Sequence, residues 1–379
     1  MKRRLLDLLC CPRCHGAFAV EPFTEVAAPG APADPGYATE IEEGALICGA
    51  CGARFPIIGG VPRLIGPALL AQIARRYPGF FVRHPGLAPS APAGGDPLAD
   101  TLESFTRQRL DLRPPGPEFA RQWRAHLARN LGGALALDAL GGKLVLDVGC
   151  GFGRHLYVAS EAGAETVGVD LSGGVDVARA NNRAHPRCHV VQANVLEQPL
   201  RAERFDVVWS FGVLHHMPDP RAGFRAIVPF VRPDGGLVVV WVYGYRGMAF
   251  TYRLSHMRRL HRVLRSMSGP TRVRASRAVA ALLSGLYWAP LGGLRRLGLG
   301  HTVERLPLAA YADHGWSARV AAVHDRLSTP ITHFHDREEL LGWFEEAGLG
   351  AVSVEDTDRR GWRAHGMRLA GVPAASAVS

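Results

Sequence analysis

A chain of 379 residues exceeds one average domain, so two or three domains are expected, and 47% hydrophobic residues are ample for a core. With 21% charged residues and a formal net charge of +10 the composition is that of an ordinary globular protein, and no apolar run approaches the ~20 residues that span a bilayer. Met1-Lys2-Arg3-Arg4 followed by Leu5-Leu6-Asp7-Leu8-Leu9 imitates a signal peptide, but the apolar part is short and broken by Asp7; a cytoplasmic chain with reduced cysteines is expected.

The first chemistry-bearing elements are two CxxC pairs, Cys11-Pro12-Arg13-Cys14 and Cys48-Gly49-Ala50-Cys51. Each can form a tight knuckle pointing two thiolates at one ion, and two knuckles supply the tetrahedral all-sulfur site that zinc favours. Gly16 and Gly52 give backbone amides room to turn toward sulfur, and Pro29 to Gly36 reads as a loop tip between the pairs. Cys10 is a competing ligand, although the CPxC spacing favours Cys11. Disulfides or a redox CxxC fit a cytoplasmic chain poorly. Together with Phe55-Pro56-Ile57-Ile58-Gly59-Gly60-Val61-Pro62, these knuckles make residues 1–65 resemble the zinc ribbon of the small activator subunit shared by several tRNA, rRNA and protein methyltransferases. The resemblance implies a structural ion, since four sulfurs leave no open coordination position, and a small domain that chelation would unfold while the rest survives.

Residues 66–116 are rich in Pro, Gly and Ala and are expected to be a linker, with a weakly periodic patch from Leu69 to Arg76 and a flexible stretch from Pro85 to Pro97. Glu118 to Leu140 returns to helical periodicity; Trp123 on it is expected to be core or cover, and His126 lies on the same helix.

The run Val145-Leu146-Asp147-Val148-Gly149-Cys150-Gly151-Phe152-Gly153 is an apolar strand entering a glycine-dense turn that opens a helix. Thr166-Val167-Gly168-Val169-Asp170 is a second buried strand whose terminal carboxylate could accept from a ribose diol. Cys188 to Asn194, Phe205 to Ser210 and Gly236 to Trp241 supply three more strands, and helix-length spacers between them imply right-handed crossovers and an α/β, doubly wound sheet. The runs VLDVGCGFGRH, VGVD, FDVVWSFGVLHHMPDP and VRPDGGLVVVWVY resemble the ordered motifs of class I S-adenosylmethionine-dependent methyltransferases from Gly141 to Tyr243. A dinucleotide-binding oxidoreductase is the nearest rival. The resemblance implies a seven-stranded sheet. It also implies that Asp147, Gly149, Cys150, Gly151 and Gly153 border the methionine part of the cofactor and that Asp170, followed by Leu171, holds the ribose. Asn194 stands where the family has an Asp for the adenine amino group, and Val195 and Phe211 complete the expected cofactor contacts.

Residues 117–245 are thus the expected core, 246–335 a helical cap insertion, and 336–379 the helix and strands that complete the core. Arg246 to Gly300 holds eleven arginines and no Asp, Glu or Lys. Leu254, Met257, Leu260, His261, Leu264 and Met267 follow helical spacing, as do Val279, Leu282, Leu283, Leu286 and Tyr287. Three readings of this segment stay open: a solvated cap whose apolar face packs over the active site, docking to an anionic membrane surface at the inner face, and contact with a nucleic-acid backbone. Arg258, Arg259, Arg262 and Arg265 would serve either of the last two.

For the acceptor side, His215 and His216 follow the fourth core strand, where a neutral imidazole could take a hydroxyl proton, and either could equally orient the loop. A second polar cluster runs through His324-Asp325 and Thr329 to His335; His333 is a further catalytic candidate, His333, His335, Tyr243 and Tyr245 are pocket candidates, and Asp336 and Glu339 form a capping box. The expected activity is methyl transfer to oxygen of a small or lipid-like metabolite. The rivals are an rRNA or tRNA methyltransferase, against which Ser210-Phe211-Gly212-Val213 lacks an N/D-P-P-Y tetrapeptide, and a non-catalytic cofactor-fold partner subunit.

Overall fold

The computed structural model describes residues 1–28, 30, 32–89, 106, 116–244, 269–304, 306, 309–313, 315–316, 319–320, 322–324, 331–357 and 361–369. Four antiparallel strands open the chain: β1 (Phe18–Ala27), β2 (Thr39–Cys48), β3 (Arg54–Ile58) and β4 (Val61–Leu64). Five parallel strands follow, β5 (Leu144–Val148), β6 (Glu165–Asp170), β7 (Cys188–Ala193), β8 (Val207–Phe211) and β9 (Leu237–Tyr243). The last pair, β10 (Leu349–Thr357) and β11 (Gly361–Arg368), adds through β11 antiparallel to β9. The order across the sheet is β1-β2-β3-β4-β7-β6-β5-β8-β9-β11-β10. The seven strands from β7 to β10 in that order are the expected doubly wound sheet, and the Val-rich sequences of its five parallel strands suit strands covered on both faces. Helices Arg154–Glu161, Gly174–Asn181, Pro220–Ile227 and Arg337–Glu346 cover it.

The amino-terminal strands are not a separate body. Arg63 and Leu64 of β4 pair parallel with Gln192 and Ala193 of β7, so the two sheets are continuous. Leu8 and Cys10 also exchange backbone hydrogen bonds with Arg201 and Pro199 in the β7–β8 connection. Leu5, Leu9, Ile41 and Leu46 share one apolar cluster with Leu146, Val167 and Val191. The ribbon and the central sheet therefore bury their apolar surface in each other.

The expected linker is also partly structured. Pro67–Arg76 and Pro78–Arg83 are helices, each with proline at its start, and Ile73, Phe80, Phe81 and Leu87 are buried against Ala45, Ile58 and Ile65. Of the rest of that stretch, residues 90–105 and 107–115 lie outside the described residues. The helix before β5 is shorter than periodicity suggested, Ala120–Leu131, ending at Gly132 in a conformation with φ of 55°. Trp123 on it is buried against Phe152 and Tyr157, as expected for a core residue.

In the insertion, the stretch Leu254 to Met267, the arginines from Arg246 to Arg265, and Tyr245 lie outside the described residues. From Gly269 to Leu297 the chain is helical, stopping at Gly298 with φ of 84°. This run has its own small core of Val273, Ala280, Trp288, Leu291, Val303 and Val320. Leu282 and Leu286, which the solvated-cap reading alone would pack over the active site, are exposed. Among the described residues no helix is long and apolar enough to cross a membrane.

Candidate functional site

The carboxyl edge of the parallel strands gathers most of the residues singled out from sequence. β5 is central, and the winding reverses on either side of it, the position where open α/β sheets leave a crevice. Gly149, Gly151 and Gly153 leave β5 with φ of 77°, 56° and 79°, a region that other residues seldom occupy. A Cβ on Gly149 would lie 2.2 Å from Val213 Cγ2, and one on Gly153 would lie 2.9 Å from Ala178 Cα. Close packing as well as conformation therefore demands glycine at both positions.

Asp170, half-buried at the end of β6, ties this turn to the next. Its Oδ2 accepts from the Gly151 N–H at 2.8 Å, and its Oδ1 accepts from the Ser172 N–H at 2.8 Å and the Ser172 hydroxyl at 2.7 Å. Three of a carboxylate's roughly four acceptor sites are thus taken, so bidentate grip on a diol requires the Ser172 hydroxyl to rotate away. The Leu171 carbonyl is held by the Gln192 amide at 3.0 Å, and the Gly173 N–H donates to Thr106 Oγ1 at 2.7 Å. Asn194, after β7, accepts from the Leu196 N–H through Oδ1 and caps a short turn, with Val195 buried beside it. Cys150 is buried, and burial raises its thiol well above the usual range, so it stays protonated and apolar.

Asp147 is 1% exposed, and its Oδ2 has no hydrogen-bond partner among the described residues. Burial pushes this carboxyl up to about 7, opposed by the Trp209 indole and Arg154 and reinforced by Asp170. His155 Nδ1 lies 3.9 Å away, and His155 Nε2 is 3.1 Å from His126 Nδ1, which in turn is 3.2 Å from the Asn130 amide. Burial, with Arg154 and His126, holds His155 well below the ordinary imidazole range, so it is neutral. Phe211 closes this side, edge-on to His155. An orphaned carboxylate oxygen under a glycine cradle fits the amino-acid end of S-adenosylmethionine. Neither His155 nor Gln192 was singled out from sequence; a polar residue within an otherwise apolar buried face was the available signal for both.

The two histidine clusters meet. The His333 N–H donates to the His215 carbonyl at 2.8 Å, and the His335 N–H donates to the Tyr243 carbonyl at 2.9 Å, laying residues 331–335 across the ends of β8 and β9. His215 is fully buried and stacked on Tyr243 at 3.9 Å, and its Nδ1 accepts from the Tyr243 N–H at 3.3 Å. Burial first, then His216, His335 and His333, hold it well below the ordinary range. With its Nδ1 lone pair taken, His215 is poorly suited to accept a proton. His216 Nδ1 lies 2.9 Å from the Ile331 carbonyl, to which it can only donate. The proton is thereby fixed on Nδ1 and Nε2 is the basic nitrogen. Phe334 lies against Tyr243 at 6.0 Å. His324, placed in this cluster from sequence, instead pairs with Ser276 in the core of the cap, and Asp325 and Thr329 lie outside the described residues. Asp336 Oδ1 caps its helix at the Glu339 N–H, as expected.

At the other end, the sulfurs of Cys11, Cys14, Cys48 and Cys51 all lie within 4.8 Å of one another, and Cys10 is not among them because its thiol donates to the Gln198 carbonyl. The Cys11–Cys51 and Cys14–Cys48 separations of 3.8 and 3.4 Å are close to the ~3.8 Å edge of a tetrahedral tetrathiolate at 2.3 Å metal–sulfur distance. Backbone N–H groups, that of Cys51 foremost, hold the Cys48 thiol down at about 6.

Residues 146–239 match the family described as methyltransferase domain, and residues 2–60 match the one described as Trm112p-like protein. The chloroplastic tocopherol O-methyltransferase of Arabidopsis thaliana is 38% identical over 104 residues, 26% of this chain and 30% of that protein. The tRNA U34 carboxymethyltransferase of Idiomarina loihiensis is 39% identical over 111 residues, 27% of this chain and 34% of that protein. The chain therefore spans well under half the length of these relatives. A crystal structure of an S-adenosylmethionine dependent methyltransferase from Mesorhizobium loti is 31% identical, with a TM-score of 0.28 over 31% of this chain and 53% of that one. The chain carries a methyltransferase domain behind a Trm112p-like amino-terminal domain.

Proposed function

We propose that this protein is an S-adenosylmethionine-dependent methyltransferase acting on oxygen of a small or lipid-like hydroxylated metabolite in the cytoplasm. The observation that carries the reading is the convergence, on one sheet edge, of a glycine cradle, the Asp170 tie and the His216–Tyr243 cluster. Asp147 and the turn from Gly149 to Gly153 would hold the methionine end, Asp170 and Leu171 the ribose, and Asn194, Val195 and Phe211 the adenine side. When bound, the cofactor supplies a methyl group already activated by its positive sulfur. The chain's part is to position an acceptor hydroxyl and to take its proton at His216 Nε2, while Tyr243, Phe334 and His333 wall the acceptor side. Four cysteines at tetrathiolate spacing support a structural zinc ion, which elemental analysis of the purified protein is expected to find at about one equivalent per chain.

Transfer of label from methyl-labelled cofactor to phenolic or quinol lipids, set against transfer to bulk tRNA and rRNA, tests the acceptor class. Labelled RNA alone would favour the second reading, which the Trm112p-like domain and the kinship to a tRNA-modifying enzyme support. Gly149→Ala is expected to abolish cofactor binding in calorimetry, and Asp170→Ala to weaken it by about 1.5–3 kcal/mol. His216→Ala is expected to lower turnover by about 10²–10⁴ with cofactor affinity unchanged. A wild-type chain that binds no cofactor would leave the non-catalytic partner reading standing.

A further inference from the structure

The helical run from Gly269 to Leu297 turns Val273, Ala280, Trp288 and Leu291 inward onto the small core of the cap. Its outer face is unusual. Every exposed residue between positions 278 and 294 is Ala, Leu, Gly or Pro. Leu282, Leu286 and Leu294 are 60%, 74% and 38% exposed, and Leu297, just beyond, is 78% exposed. Leu282 and Leu286 lie four residues apart and Leu294 and Leu297 three, and with the π-helical turns at Ser284–Trp288 and Arg295–Leu299 the apolar stripe is roughly 20 Å long. Exposed Arg274 and Arg277 stand at one end and exposed Arg296 at the other. Residues 246–303 contain eleven arginines and no acidic residue.

We infer that this stripe is a docking surface for an anionic lipid bilayer. The helix lies flat in the headgroup layer, with its leucines at the acyl boundary and its terminal arginines on lipid phosphates. Charge decides the partner. Apolar side chains bounded at both ends by cations, on a segment whose sequence from 246 to 303 holds no acidic residue, match a negatively charged surface that is apolar underneath. A protein partner would be expected to use central aromatic anchors, but Trp288 is 1% exposed beneath the Arg319 guanidinium, and Tyr287 packs on the inner core. RNA would want cations along the face and rings to stack on, and the middle of the stripe has neither. The inference deepens the proposed lipid-like acceptor, yet docking needs no methyl transfer and is measured without it.

The test is co-sedimentation of the full chain with vesicles of equimolar phosphatidylglycerol and phosphatidylcholine, against vesicles of phosphatidylcholine alone. The wild type should pellet with the anionic vesicles at low salt, and less as salt rises. A Leu282→Ser, Leu286→Ser double variant should bind at least about tenfold more weakly, and an Arg274→Gln, Arg277→Gln variant roughly thirtyfold more weakly, with unchanged melting temperature and cofactor affinity. A wild type that ignores anionic vesicles, or a serine variant that pellets as well as wild type, overturns the inference. So does tRNA binding in place of vesicle binding. Vesicle binding with no methylated lipid-like acceptor leaves the docking surface standing and removes the acceptor reading.

Discussion

Asp147 shows how one buried carboxyl shapes the site. An unfolded Asp titrates near 3.9, and this one titrates at about 7 because it is buried. Between those values the folded chain holds a proton that the unfolded chain has lost, so the penalty for ionising Asp147 grows as pH rises from about 4 to about 7 and then levels off. Asp147→Asn is therefore expected to match wild-type stability near pH 4 and to exceed it near pH 8, by at most about 4 kcal/mol. Calorimetric melting of the cofactor-free protein at both values checks this. At this scale the glycines of the turn were legible in the sequence, since few other residues tolerate a positive φ beside a strand end. The tautomer of His216 was not, because it depends on the Ile331 carbonyl, 115 residues away along the chain.

Between elements, the seam of β4 and β7 matters most. Arg63 is fully buried there, its guanidinium donating to Gln192 Oε1 at 2.9 Å, to the Ile58 carbonyl and to Asp176, while Gln192 in turn holds the Leu171 carbonyl beside Asp170. Arg63→Ala would leave Gln192 Oε1 without its donor and Asp176 with Arg76 as its remaining ion-pair partner, and is expected to cost about 1–3 kcal/mol in urea denaturation. Cofactor affinity in calorimetry should fall as well, because the Leu171 loop loses its support. Chelating the ion proposed for the cysteine cluster should lower the melting temperature of the whole sheet rather than of residues 1–65 alone, since the ribbon and sheet share a core. The sequence marked both partners of this seam without marking the seam. Gln192 within a buried strand was the one visible hint.

On the scale of the molecule, stability is unevenly spread. The central sheet belongs to large clusters of fully buried residues, whereas the cap rests on a small cluster of its own. Amides of the cap helices are therefore expected to exchange hydrogen well before those of β5, β6 and β8 in native-state exchange, and Asp336-capped helix amides to follow the sheet.

The amino-acid sequence alone determined the α/β class of the methyltransferase domain, the runs that became its parallel strands, the positions of its glycine turn and Asp170, and the four cysteines that cluster. Each rests on a local rule: hydrophobic runs of strand length, glycine where φ is positive, CxxC where two thiolates must meet. Only the tertiary structure decided three other matters. Residues 67–87 became helices because Ala45, Ile58 and Ile65 offered them an apolar surface, with their prolines at the helix starts. The ribbon fused to the sheet because the free edge of β7 matched that of β4. The cap turned its leucines outward because Val273, Trp288 and Leu291 had already taken the inner face, and which side of an amphipathic helix meets protein is settled by its neighbours rather than by its own spacing.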